Sequence, residues 1–237
     1  MEQVFFRTTK TGDIVTKFPK ASQVLKEYKI DFCCGGNQPI SEAIKDRHLN
    51  EEEVLNKLNS LYSEAYSSNE SINWREASYP TLINYIITTH HVYLNETLPE
   101  LAKFVTKVYR VHGKKRKELK DVYHLFHQLK LELEHHLIEE EERVFPNIID
   151  YESSRAQTKL NATLKTISEL EDEHESAGTL LKELRQITND YSLPEGACTT
   201  YTLMYLKLQE LEADLFEHIH LENNILFPRL EQEASNE

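Results

Sequence analysis

The chain has 237 residues, 27 of them basic and 40 acidic, for a formal net charge of −13, with only six glycines and seven prolines. That balance repels phosphate backbones and anionic lipid, so neither nucleic acid nor a membrane surface is an expected partner, and no stretch reaches the ~20 apolar residues that span a bilayer. Three cysteines, two of them adjacent, make no disulfide framework; with no apolar signal core among Glu2, Arg7 and Lys10, a reducing, cytoplasmic compartment is expected.

In chain order, residues 1–62 read as a small helical domain. Phe18-Pro19 opens a helix whose apolar face is Val24, Leu25 and Tyr28. Gly35 and Gly36 stop it, because paired glycines relax the backbone. Pro39 starts a short helix through Ala43 and Ile44. Asn50 followed by Glu53 has the form of an N-cap and its reciprocal partner, opening a helix with Val54, Leu55, Leu58 and Leu61. About sixty residues bury only a thin core, so this domain should dock on something. The polar stretch 63–77 reads as a linker. From residue 78 to 237 the pattern is four long helices, about Pro80–Val111, Glu118–Ile149, Ser154–Asn189 and Cys198–Leu230. Each is about 30 residues, or roughly 45 Å. Joined by short turns, they predict an all-α chain ending in an up-down-up-down four-helix bundle.

Histidine carries the chemical signal: ten of the eleven lie from His90 onward. The second long helix holds His136-x3-Glu140-x4-Phe145-Pro146, and the fourth holds His218-x3-Glu222-x4-Phe227-Pro228. The i, i+4 spacing sets each His and Glu one turn apart on one face, which is otherwise apolar. A carboxylate and an imidazole turned into a core are costly unless something neutralises them. His174 sits on the inward face of the third helix with Ile167, Leu170, Ala177 and Leu181. On the first helix His90 and His91 both lie near Ile87 and Leu94, and periodicity does not choose between them. One His from each helix plus Glu140 and Glu222 would give two metals two nitrogens and two oxygens each if both carboxylates bridge. That donor set suits non-haem iron or manganese better than a closed tetrahedral zinc site. A ferritin-like layout built on E-x-x-H would use His135 and His220 instead; the matching Phe-Pro flanks select His136 and His218.

Four segments together, Asp31-Phe32-Cys33-Cys34-Gly35-Gly36, Glu173-His174-Glu175-Ser176-Ala177-Gly178, Glu195-Gly196-Ala197-Cys198-Thr199-Thr200 and His218 through Pro228, resemble the repair of iron centres family. These are di-iron iron-sulfur cluster repair proteins whose C-terminal part is hemerythrin-like, and the resemblance covers nearly the whole chain. It implies two iron ions in an oxo- and carboxylate-bridged centre, held by His91, His136, Glu140, His174, His218 and Glu222. It selects His91 over His90, and it places Glu132 and Glu173 at acidic positions near the metals. It also implies repair of clusters damaged by nitric oxide or oxidative stress, with damaged iron-sulfur proteins as partners, and, with the thin small domain, a homodimer. Donation of iron rather than turnover is the expected chemistry. A carrier or sensor of O2 or NO, or a di-iron reductase of NO or peroxide, are the alternatives.

Cys33 and Cys34 have Cα atoms 3.8 Å apart across a trans peptide, too close for a relaxed disulfide. In a glycine-rich turn such thiols are expected to be exposed, of lowered pKa, and suited to iron or thiol exchange. Cys198, before the fourth long helix, is expected to be structural.

Overall fold

The computed structural model describes residues 3–65 and 73–235; residues 66–72, within the expected linker, lie outside them. Among the described residues the chain is helical, with one isolated antiparallel bridge between Lys10 and Pro39. It divides into two compact units, Met1–Leu82 with Phe216–Glu237, and Ile83–Leu215.

The first unit contains α1 (Thr11–Lys17), α2 (Ala21–Glu27), α3 (Ile40–Asp46) and α4 (Glu51–Ala65). Phe5, Ile14, Leu25, Phe32, Ile40 and Leu58 form its core, and α2 and α3 pack on α4. Asn50 caps α4 as its spacing implies, accepting a bond from the Glu53 amide at 3.2 Å. α2 ends at Glu27, and just beyond it Lys29 takes a left-handed φ of 57° while the Ile30 amide closes back on the Leu25 carbonyl at 2.8 Å. Helix α1 was not legible in the sequence, because its Gly and β-branched residues are poor helix formers; side-chain burial of Ile14 and Val15 holds it.

The second unit is a bundle. It holds α6 (Val92–His112), α7 (Glu118–Glu139), α8 (Phe145–Ser154), α9 (Gln157–Ile187) and most of α10 (Thr199–Leu221). α7 packs on α6 and on α9, and α8 on α9. Leu94, Leu98, Leu101, Val105 and Val108 show the three-to-four spacing of the buried stripe on α6. Between α8 and α9 the chain turns at Arg155, with φ 53°. Arg185 binds the buried Glu212 with two guanidinium nitrogens, tying α9 to α10.

Three of the four long helices carry a π-helical turn: Ile87–His91 between α5 (Tyr79–Ile86) and α6, Glu140–Val144 between α7 and α8, and Glu222–Leu226 between α10 and α11 (Phe227–Ser235). In each, the next amide bonds the carbonyl five residues back: Val92 to Ile87, Phe145 to Glu140 and Phe227 to Glu222. The Glu-x4-Phe-Pro spacing therefore spells one π-turn followed by a proline. The helices run past Pro146 and Pro228, and beyond the ends expected near Ile149 and Leu230. The missing N–H falls where the ladder is already widened, and the helices continue to Ser154 and Ser235.

Candidate metal centre

Each π-turn begins or ends on a proposed ligand. His91 closes the first, Glu140 opens the second and Glu222 opens the third. The inserted residue widens the turn and changes which side chains face inward, a device common at functional sites.

In the bundle unit, His91, His136, Glu140 and His174 come together. The Nε2 atoms of His91 and His136 lie 3.4 and 3.3 Å from one oxygen of Glu140. His174 Nε2 is 3.0 Å from His136 Nε2. His136, Glu140 and His174 each offer a ligand atom within 4.8 Å of the others. The far side of two of these rings is fixed by a carboxylate. His91 Nδ1 donates to Glu141 at 2.8 Å and His136 Nδ1 to Glu173 at 2.7 Å. Binding Nδ1–H this way leaves Nε2 as a lone-pair donor and orients the ring for a metal. Accepting from His136 holds the Glu173 carboxyl below the ordinary carboxylate range. Phe145, the motif's aromatic, stacks on His91 at 5.6 Å.

Glu140 decides the chemistry. It is 0% exposed, and neither of its oxygens has a hydrogen-bond partner. An ionised carboxylate in that state costs several kcal/mol, and buried polar atoms are nearly always satisfied. A cation among the facing imidazoles removes the cost.

The first unit carries the second copy of the motif. His218 Nε2 lies 3.1 Å from Glu222 Oε1, and both residues are fully buried. Imidazoles with bridging-capable carboxylates fit a di-iron centre better than zinc or a hard oxygen-only cation.

Of the remaining sequence candidates, Glu132 accepts from Gln128 at 2.9 Å and from Ser176 at 3.0 Å, on the seam between α7 and α9. His135 is exposed. His220 is buried but bonds the Phe32 carbonyl from Nδ1 at 3.2 Å and lies 3.3 Å from Thr16 Oγ1. His90 is buried against Asp214 at 2.9 Å. Three neighbours of the site escaped the sequence reading, Glu141, Asp214 and Asn224, and His220 was read only as a ligand of the alternative layout. An outward acidic or amide residue beside a motif looks like ordinary helix surface until something is packed on it.

The vicinal thiols differ from expectation. Cys33 is buried, and its thiol pKa is pushed well up because it bonds Cys34, is desolvated and lies beside the Asp31 carboxylate. Asp31 Oδ1 accepts from the Cys33 amide at 3.0 Å, from the Gly35 amide at 3.1 Å and from the Cys33 thiol at 3.3 Å. Only Cys34 is partly open to solvent. Cys198, expected to be structural, is exposed, with His112 Nε2 3.3 Å from its sulfur.

Residues 82–230 match the hemerythrin HHE cation binding domain, and residues 7–62 match a domain of unknown function (DUF542). The iron-sulfur cluster repair protein ScdA of Staphylococcus haemolyticus is 35% identical over 216 residues, 91% of this chain and 95% of the relative. The chain belongs to the ScdA/YtfE iron-sulfur cluster repair family. The iron-sulfur cluster repair protein YtfE of Citrobacter koseri is 36% identical over 224 residues, covering 94% of this chain and 97% of that one. YtfE of Escherichia coli O8 is equally similar, at 36% over 224 residues. The cation-binding match of the family contains all six sequence-derived ligand positions, in both compact units. No helix among the described residues is long and apolar enough to cross a membrane.

Proposed function

We propose that this chain repairs damaged iron-sulfur clusters by supplying iron. In this reading His91, His136, Glu140, His174, His218 and Glu222 would hold two iron ions. The observation that carries it is the fully buried Glu140, without a hydrogen-bond partner and faced by imidazoles whose Nδ1 atoms are already committed. The family's printed name supplies the client class, and the domain matches supply a cation-binding bundle. Iron would supply the transferable metal; the protein residues hold it, orient the imidazoles and bury the carboxylates.

Glu173 and Glu132 act in this scheme as carboxylates beside the metal ligands, and Cys33 and Cys34 as the thiols that exchange with client or iron. The division of the chain at 1–62, 63–77 and 78–237, a cytoplasmic location and a homodimer belong to the same proposal. Light scattering of the iron-loaded protein tests the last.

Iron-loaded protein is incubated with an apo or nitric oxide-damaged iron-sulfur enzyme, and client activity and iron on both proteins are followed together. Reactivation with matching loss of iron from this chain is expected. Sustained product formation from NO or peroxide, with iron retained and no client recovery, would overturn donation in favour of turnover.

A further inference from the structure

The two copies of the motif share their inward positions and differ on the outside. Aligned residue for residue, Ile138 and Glu142 of one copy correspond to His220 and Asn224 of the other. Ile138 is 58% exposed and Glu142 is exposed as well. His220 is 3% exposed, and Asn224 is covered by the glycine loop that carries the vicinal cysteines. The Asn224 amide donates to the Cys33 carbonyl at 3.0 Å and the Phe32 carbonyl at 3.4 Å. His220 Nδ1 donates to the same Phe32 carbonyl. Two glycines make room for this seat: a Cβ on Gly12 would fall 2.3 Å from Asn224 Oδ1, and one on Gly36 2.2 Å from it. Gly12 and Gly36 are themselves joined by a backbone bond of 2.9 Å. Helix α1 packs on this π-turn. Glu222 is thus buried on the same turn whose outer residue Asn224, two positions on, grips the Cys33–Cys34 loop.

We propose that His220 and Asn224 are positioning residues that seat the Cys33–Cys34 loop on the Glu222 turn, so that iron held by that turn restrains the loop and limits access to Cys34. This rests on the ligand assignment proposed above. A ligand held by Glu222 fixes the π-turn, and a fixed π-turn presents both donors to the loop carbonyls. When the iron is given up the turn relaxes, the seat loosens and the thiol becomes available. Linkage makes the effect reciprocal: whatever favours the released loop weakens iron binding by the same factor.

The test is site-resolved alkylation by iodoacetamide in the full chain carrying Cys198→Ser, with iron content measured on the same samples. Iron loading is expected to slow Cys34 modification at least about fivefold. Asn224→Ala, loaded at saturating iron so that both proteins carry the same metal content, should erase the difference. Gly12→Ala should do the same from the other side of the seat, since its Cβ must displace the Asn224 side chain while every ligand side chain is left unchanged. Glu142→Ala, at the equivalent position of the open copy, should leave the difference intact. Equal rates with and without bound iron in the parent, or a difference that survives both Asn224→Ala and Gly12→Ala, would overturn the seat alone. Failure of the parent to bind iron at all would overturn the ligand assignment, and the linkage with it.

Discussion

The turns at Glu140–Val144 and Glu222–Leu226 are the same device used in two settings. Each follows a His by one helical turn, opens on a fully buried Glu, and closes a five-residue backbone bond on a Phe that precedes Pro. The copy in the bundle turns Ile138, Glu142 and Arg143 to solvent. The copy in the first unit covers the matching positions with the thiol loop and α1. The difference teaches that burying a His and a Glu on one inward face needs only the helix and its π-turn, because both copies achieve it. The outer face is free to acquire a second task. In the covered copy that face changed from charged and aliphatic residues to two neutral hydrogen-bond donors, the side chains that satisfy buried carbonyls without bringing a charge into the seam.

Replacing the inward residues should break both copies alike, and with the largest effect. His136→Ala or His218→Ala should lose bound iron, whereas His135→Ala should retain it; metal analysis after desalting decides. Iron should also raise the melting temperature of the parent, by an amount equivalent to about 4 kcal/mol at a thousandfold excess over Kd. Glu140→Gln should abolish that gain without destabilising the metal-free protein, because it removes a buried charge that only the metal compensates.

The carboxylates that hold Nδ1 come next. Glu173→Gln should weaken iron binding about 10- to 100-fold and leave the fold intact, as read by chelator competition and circular dichroism. In the covered copy alone, Gly36→Ala should cost about 1–3 kcal/mol in denaturant unfolding, since its Cβ meets Asn224. A Glu142→Ala change in the open copy should stay within about 0.5 kcal/mol.

Acid should separate the copies too. Burial is the main reason His220 is held at about 4 instead of its ordinary 6.5. The unfolded chain therefore takes up this proton first as pH falls. The stability is present above about 6.5 and is lost progressively toward pH 4. In metal-free protein, His220→Asn should flatten that part of the pH–stability curve; an unchanged slope would show that His220 titrates as an exposed group.

Much of the site was legible because metal ligation leaves a periodic mark. Polar residues on an apolar face, repeated at one spacing on two helices, point to compensation by something absent from the sequence. The long helices were legible from the same periodicity, and Asn50 from its capping pattern. His90 and His91 were not separable, because neighbouring residues on a helix share too much of one face; the structure gives His91 the contact with Glu140 and His90 a separate partner in Asp214. The π-turns before the Phe-Pro pairs were not legible, because one extra residue in a turn leaves no mark in hydropathy. The raised Cys33 thiol was hidden for a similar reason: its burial depends on Asp31 and the loop fold rather than on the glycines beside it.

The sequence by itself determined the long helices and the inward positions of His136, Glu140, His174, His218 and Glu222, since these follow from residue type and helical spacing along one chain, while the choice of His91 over His90 came from the family resemblance. Only the tertiary structure decided that Glu140 is stripped of every hydrogen-bond partner and that Asn224 and His220 bind the carbonyls of a loop almost two hundred residues away in the chain. The physical reason is range. Periodicity reports which side of a helix is buried, but desolvation and hydrogen bonding depend on what covers that side, and that is set by chain segments that meet only on folding.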